Sequence, residues 1–343
     1  TDKSKRTQAL YSISIYQLGE FVPKKLFKKY SEKDMMNLKT KWMSNYAPYT
    51  IHNRMLDVIT FYKWHLKTRE KPGFLDWYNV SEQGKKARKK HNPLDVLTEE
   101  DMKKIVSCIG SKRNKAIAFT LFETGCRIEE FLNIRMADLR FEEKIVSIYI
   151  KKGKTKESER SVFLINSVPT LKDWIDEHPY KDNPRAYIFC SVGKAKIPRG
   201  NRLYGNYVNC ILTRAAAKAK IIKPVNAHAL RRARATDLDR KRHSRRLVEQ
   251  LLGWSPNSGM HAFYSQISAD DVKNGLMEDA GMLVNVKKKN ELKPIECPFC
   301  KTANSPEALV CKNMVCLRPI SELGILDEKK KKENMMKELI RGE

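Results

Sequence analysis

His228-Ala229-Leu230-Arg231-Arg232-Ala233-Arg234, continued through Leu252-Gly253-Trp254 to Phe263-Tyr264, is the stretch on which the reading of this chain turns. It places an imidazole, a group of guanidiniums, an indole and a phenol in that order. Each of these groups can contact a phosphodiester, and a phenol can attack one. Phosphodiester transfer without a metal needs a nucleophile, cations on the non-bridging oxygens, an acid for the leaving oxygen and a base for the attacker. Tyr264 can attack. Arg231 can grip a phosphate bidentately, as a lysine cannot. His228 can act as acid or base near neutral pH, and Trp254 can donate its indole N–H or pack the site. Singly, these residues say little. In so basic a chain an Arg three residues after a His is common, an Arg-Arg pair on a helix is usually a solvated face, and a lone Tyr usually packs.

Upstream, an apolar run from Asn114 to Thr124 reads as a buried helix ended by Gly125. Arg127 then opens another helix, where an arginine can meet an anion. Ile145 to Ile150 and Ser161 to Leu164 read as a hairpin whose tip carries Lys151, Lys152, Lys154 and Lys156. Lys152 or Lys154 can donate a proton from there. Tyr187 to Cys190 offers a further strand, and the rest from Asn206 to Leu276 reads mostly as helices. This region begins at Thr98, an N-cap with Asp101 at the third helical position and Leu97 and Met102 as a hydrophobic staple.

Residues 1 to about 80 read as a helical domain. At its start, Tyr11, Ile15 and Leu18 have helical spacing, while Tyr11, Ile13 and Ile15 also alternate as a strand would. Ser31 with Asp34 opens a helix carrying Met35, Leu38 and Trp42, and Thr50 is read as the cap of another carrying Met55, Val58, Ile59 and Tyr62. Small helical modules with basic faces often clamp DNA, but alone this one has no assigned use. Residues 82–94 have no apolar period and read as a basic linker, either a strap along phosphates or merely solvated.

The chain carries 67 Lys+Arg against 40 Asp+Glu, a net charge of +27. So large an excess raises self-repulsion, and a polyanion partner explains it, because each neutralised phosphate releases counterions. A lysine-rich proteome would raise Glu as well. A basic membrane-surface protein is the other alternative. No apolar run approaches a membrane span and no signal-peptide core follows the charged start, so a cytoplasmic, nucleoid-associated protein is expected. The chain starts at Thr1 and not at Met, so a few residues are expected to precede it.

Cys108, Cys126, Cys190 and Cys210 are scattered and expected to be reduced and partly buried. Cys297, Cys300, Cys311 and Cys316 form two close pairs, which suit a tetrahedral structural zinc ribbon. Iron in the same four-sulfur cage, or two coincidental pairs in a disordered tail, are the alternatives. Asp327 to Arg341 reads as a charged helix or a frayed tail.

In order and context these motifs resemble the tyrosine recombinase (phage integrase, Xer-like) family. Thr124-Gly125-Cys126-Arg127-Ile128-Glu129-Glu130 is similar to its first-arginine box, and Lys151-Lys152-Gly153-Lys154 to its lysine hairpin. His228-Ala229-Leu230-Arg231 matches its His-x-x-Arg box, Leu251-Leu252-Gly253-Trp254-Ser255 its Leu-Gly-His/Trp box, and Tyr264 falls at the nucleophile position. Tyr204 and Tyr207 precede the His-x-x-Arg box and rank below it. The resemblance covers residues 4 to 283 and looks most like archaeal members with a zinc-ribbon tail. Trp254 stands where most Xer-like members carry His. Trp also occurs there, but it cannot shuttle protons, which leaves His228 and the lysine.

The resemblance implies a mainly α fold with a small antiparallel β-sheet. It implies a helical core-binding domain over 1–81, the linker 82–94, a catalytic domain over 95–284, a zinc ribbon over 292–322 and a charged tail over 323–343. It implies a site-specific recombinase, of integrase or excisionase type, with Arg127, Lys152, His228, Arg231, Trp254 and Tyr264 as catalytic residues. Catalysis would pass through a 3′-phosphotyrosine and need no cofactor. The partner would be double-stranded DNA, engaged by a tetramer in which the segment Asp270 to Met282 docks on a neighbouring protomer. A non-catalytic DNA-binding protein on the same scaffold and a type IB-like topoisomerase are the competing readings.

Overall fold

The computed structural model describes residues 5–87, 92–151, 159–193, 197–256, 259–282 and 291–340. The chain divides into two compact units, Thr1–His91 and Asn92–Glu343.

The first unit is helical: α1 (Lys5–Phe21), α2 (Glu32–Met43), α3 (Pro48–His65) and α4 (Val80–Ala87). Its start is a helix and not a strand. Ser14 and Leu18, one turn apart, are buried while Ile13 is exposed, and Ser14 Oγ donates to Asp57 at 2.7 Å. The predicted capping box of Ser31 and Asp34 forms at the head of α2. Met35, Leu38, Trp42, Met55, Val58, Ile59 and Tyr62 meet in one core. The third helix starts earlier than expected. Pro48 sets its first turn after Ala47, so Thr50 lies inside that turn and caps nothing. Residues 82–87 of the segment read as linker are helical, because Asn79 Oδ1 accepts from the Glu82 N–H and Lys86 pairs with Glu82 one turn on.

The second unit opens with α5 (Glu99–Ser107), capped by Thr98 and Asp101 as the sequence predicts, with Leu97 and Met102 both buried. Then come α6 (Lys112–Thr124) and the short α7 (Ile128–Leu132). A three-stranded antiparallel sheet follows: β1 (Leu139–Phe141), β2 (Val146–Ile150) and β3 (Arg160–Leu164). Ile150 pairs with Arg160, so β2 and β3 are the expected hairpin. Its tip lies outside the described residues, and Lys152 and Lys154 with it. β1 has three residues and no alternating pattern, too little to read in advance.

Beyond the sheet lie α8 (Val168–Asp176), α9 (Gly205–Lys218), α10 (Ala227–Arg240), α11 (Arg245–Leu252), α12 (Met260–Tyr264) and α13 (Ala269–Asp279). Tyr187 to Cys190 makes only isolated bridges, from Tyr187 to Arg135 and from Cys190 to Arg202. Trp174 Nε1 donates to Ile188 O and a ring nitrogen of His178 contacts Tyr187 O, so side chains take the place of a ladder.

α6 is the axis of this core, with residues 116–124 buried almost all round. Near its end, the Glu123 carboxylate accepts the N–H groups of Ile165, Asn166 and Ser167 at 2.8–2.9 Å and the Ser167 hydroxyl at 2.6 Å. These donors lead into α8, so Glu123 serves as its N-terminal anchor. Glu123→Gln turns an amide N–H toward donors. We expect it to lower the unfolding free energy by about 2–3 kcal/mol, read from urea titration, and an unchanged midpoint would refute the anchor.

The last elements are the hairpin β4 (Ile295–Glu296) and β5 (Ala303–Asn304), and α14 (Glu322–Ile340). The hairpin is held against the helical core. Leu292 joins the main core, Lys115 pairs with the buried Glu307 at 3.1 Å, and Lys312 pairs with Asp173 at 2.6 Å. Of the scattered cysteines, Cys126 and Cys190 are buried and Cys108 partly so, whereas Cys210 is exposed. No helix among the described residues is long and apolar enough to cross a membrane.

Candidate active site

Three turns bring the predicted residues together. Gly125 ends α6 in the left-handed region (φ 59), where a Cβ would lie 2.6 Å from Leu252. Gly253 ends α11 the same way (φ 64), with Arg160 Nη1 2.6 Å from where a Cβ would stand. Both glycines therefore serve conformation and close approach together. The third is the start of α10, where Asn226 Oδ1 accepts from the Ala229 N–H and sets His228 and Arg231 on the first turn.

Arg231 is the largest fully buried side chain among the described residues. Its Nη1 donates to Gly125 O at 2.6 Å and its Nη2 to Leu252 O at 2.7 Å. Its Nε has no partner among the described residues. Arg127 donates to the next carbonyl, Gly253 O, at 3.3 and 3.4 Å, and pairs with Glu130 at 2.8 Å. The two guanidiniums thus converge on consecutive carbonyls at the end of α11. Burial, and then the neighbouring Arg127, pull the Arg231 pKa down to about 10, which leaves it charged at neutral pH.

Glu130 keeps this cationic cluster together. Its carboxylate takes Arg127 on one oxygen and Arg160, at 3.1 Å, on the other. Burial opposes the carboxylate charge, yet the two guanidiniums outweigh it and hold the pKa below the ordinary value. Arg160 also donates from Nε to Leu251 O at 2.7 Å, tying β3 to α11.

Tyr264 lies 7% exposed, its phenolic oxygen 3.3 Å from His228 Nδ1. The Arg231 guanidinium stands 5.4 Å from the centres of both the Tyr264 and the Trp254 rings. Those two rings pack at 5.4 Å. The Trp254 indole N–H is buried with no partner among the described residues, and Trp254 lines an open cleft of about 910 Å³ with Ser161, Arg160, Arg245 and Arg246. His228 keeps an edge open to solvent. Desolvation of its packed side, then Arg231, Arg232 and Arg127, lower its pKa, so the imidazole is neutral at neutral pH. A neutral ring nitrogen beside a phenol can accept its proton.

The structure therefore gathers Arg127, His228, Arg231, Trp254 and Tyr264, whereas the predicted lysines fall outside the described residues. Sequence reasoning quoted Glu130 within a motif without seeing its role, and it missed Arg160. The signal for Glu130 was its place three residues after Arg127, which puts both on one helical face. Arg160 had no local signal, since its partners are distant in the chain.

A sequence model of the phage integrase family matches residues 95–270. The chain belongs to the phage integrase family. It is 30% identical over 179 residues to a tyrosine recombinase of Thermosipho africanus, a match that takes in 51% of this chain and 58% of that protein. It is 25% identical over 219 residues to tyrosine recombinase XerA of Pyrococcus furiosus, covering 62% of this chain and 72% of the relative. Among solved structures it matches XerH site-specific recombinase bound to a palindromic difH substrate with a TM-score of 0.61 at 22% identity, over 81% of this chain and 80% of that one. The Tn1549 transposon integrase in complex with transposon right end DNA gives 0.61 at 16% identity, over 82% and 95%. These likenesses show a shared fold, mainly α with a small antiparallel sheet.

The other predicted site lies at the β4–β5 hairpin. The sulfurs of Cys297, Cys300, Cys311 and Cys316 all lie within 4.8 Å of one another. Cys300 and Cys311 are 3.5 Å apart, and Cys297 and Cys316 3.7 Å. A disulfide would need about 2 Å. Four thiolates at about 2.3 Å from a central zinc stand about 3.8 Å from each other, so the cage fits that ion. Lys301 and Leu317, each directly after the second cysteine of a pair, both have positive φ (60 and 45), so the two pairs end on the same kind of turn.

Proposed function

We propose that this protein is a site-specific DNA recombinase in which Tyr264 is the nucleophile. The observation that carries this is the phenol of Tyr264 beside the neutral His228 and under Arg231, with Arg127 adjacent. Arg127 and Arg231 would hold the non-bridging oxygens of the scissile phosphate, with the free indole N–H of Trp254 as a further donor. The Tyr264 oxygen attacks phosphorus and passes its proton to His228. The P–O bond to the 5′-oxygen breaks, and that oxygen takes a proton from Lys152 or, failing it, Lys154. The product is a 3′-phosphotyrosine and a free 5′-hydroxyl. A 5′-hydroxyl from a partner strand then attacks the phosphotyrosine and releases Tyr264. One phosphodiester is exchanged for another, so no cofactor is consumed.

The solved structures this fold matches include recombinases and an integrase bound to DNA, and the +27 charge suits such a partner. A non-catalytic DNA-binding protein would need neither the sheltered phenol nor the neutral imidazole. The exposed Val272, Leu276 and Met282, on and just after α13, support docking of this segment on a neighbouring protomer in a tetramer. The first unit would act as the core-binding domain.

The test is to incubate the protein with a randomised library of nicked duplexes, isolate covalent adducts and sequence the trapped DNA. Paired copies of that site in a plasmid are then scored. Recombinant products support the reading. Relaxed topoisomers alone would favour a topoisomerase, and binding alone a non-catalytic protein.

We propose that zinc occupies the four-cysteine cage as a structural ion, supplying the folding energy that so small a hairpin lacks. Because Leu292, Glu307 and Lys312 tie this segment to the helical core, its loss should reach the second unit as a whole. A chelator, or Cys300→Ser, is expected to lower the thermal midpoint by roughly 5 °C or more, each kcal/mol being worth about 2–4 °C in a domain of this size. Added zinc should restore the chelated protein. A midpoint indifferent to chelation and to zinc would remove the ion from the account.

A further inference from the structure

The helix that carries Tyr264 has five residues, Met260 to Tyr264. So short a helix has no stability of its own, and its orientation is set by what it touches. It packs on α10. The Gln266 N–H donates to Thr236 Oγ1 at 3.1 Å, which pins the chain just past Tyr264 to the middle of α10. From there the phenol reaches His228, on the first turn of α10. In the other direction a ring nitrogen of His261 reaches Asp239, near the last turn, at 3.2 Å. His228, Thr236 and Asp239 are spaced by eight and then three residues, which keeps them on one face of α10.

Asp239 and His261 have no part in the chemistry proposed above. Asp239 is nearly buried, and its second oxygen has no partner among the described residues. That is a costly placement for a carboxylate unless its one contact matters. The His261 ring also stands edge-on to Trp254, 6.2 Å between centres, and Trp254 packs on Tyr264. His261 lies three residues before Tyr264, so the two side chains leave the same side of α12.

We propose that Asp239 and His261 are a positioning pair for the nucleophile. They fix the rotation and tilt of α12 on α10, and so hold the Tyr264 oxygen beside His228. The mechanics favour it. Residues 228 and 239 are about 16 Å apart along the helix axis. With anchors that far apart, a slack of about 0.5 Å at one end tilts the segment by only about 2°, well inside the tolerance of a reacting group. With the Asp239 anchor gone, α12 keeps the Thr236 contact and the packing of Tyr264 on Trp254 and Arg231, but it loses the polar contact at its other end. The proposal rests on the reading of Tyr264 as nucleophile.

The test uses the full chain with the nicked DNA site recovered above. DNA affinity, thermal midpoint and the single-turnover rate of adduct formation at saturating protein are measured together. His261→Ala and Asp239→Ala are each expected to slow adduct formation by about 10- to 100-fold, as a small misplacement of a reacting group does, with DNA affinity held within about two-fold. The double variant should be no slower than the worse single one, because the two act as one unit. His261→Gln keeps an N–H for Asp239 and should recover most of the rate. Unchanged rates in both alanine variants, or slowing that His261→Gln does not relieve, would overturn the pair. So would a parallel loss of midpoint and affinity, which marks plain structural damage. If the wild-type chain forms no adduct at all, the nucleophile reading itself fails, an outcome distinct from all of these.

Discussion

Arg231→Lys is expected to lose adduct formation by about a thousand-fold and to lower the unfolding free energy by roughly 2–4 kcal/mol. Charge alone does not account for this, since lysine keeps it. The guanidinium spans two backbone carbonyls, Gly125 O at the end of α6 and Leu252 O at the end of α11. A single ammonium on a flexible stem cannot reach both, and one buried carbonyl is left without a donor. The guanidinium also lies over the Trp254 and Tyr264 rings. The substitution therefore loosens the joint between the helices and, in the same step, removes the bidentate phosphate grip proposed for Arg231. Urea unfolding gives the first effect and adduct formation on the nicked duplex the second. A lysine variant as stable and as reactive as the wild type would show that Arg231 merely fills space.

Tyr264→Phe should abolish the covalent adduct while leaving DNA binding intact. The ring is 7% exposed, packs on Trp254 and lies beneath Arg231, and phenylalanine preserves all of that. What disappears is one oxygen and its contact with His228 at 3.3 Å, a long hydrogen bond worth at most about 1 kcal/mol to stability. Stability and chemistry are thus separable at this position, which is unusual for a buried aromatic residue. A gel shift on the recovered site should be unchanged, and a denaturing gel should show no protein-linked DNA. Any adduct formed by the phenylalanine variant would move the nucleophile elsewhere.

Much of this was legible in the sequence because it is local. The capping boxes of Ser31 and Thr98, the break at Gly125 and the pairing of β2 with β3 depend on residues close together in the chain. The residues of the candidate site stood out for a different reason, their order and their resemblance to a known family. What was missed is what long-range packing decides. Glu123 anchors a helix more than forty residues on, at Ser167, and Arg160 ties β3 to Leu251. No periodicity could announce either contact. Tyr187 to Cys190 has strand composition, yet side chains of Trp174 and His178 take its carbonyls. Thr50 was read as a cap because threonine favours that position, but the cap is Ala47 and Pro48 starts the helix three residues sooner. The segment near Glu82 was read as a linker for want of an apolar stripe, yet one cap and one ion pair suffice to make it helical.

The most direct test of the central claim is to identify the residue that carries DNA in the wild-type protein. The trapped adduct is digested with trypsin and nuclease, and the peptide bearing the residual nucleotide is sequenced by mass spectrometry. The account predicts a phosphodiester on the oxygen of Tyr264. A nucleotide on Tyr204, which is exposed, or on Tyr207, whose hydroxyl accepts from Arg113 at 2.7 Å, would contradict it.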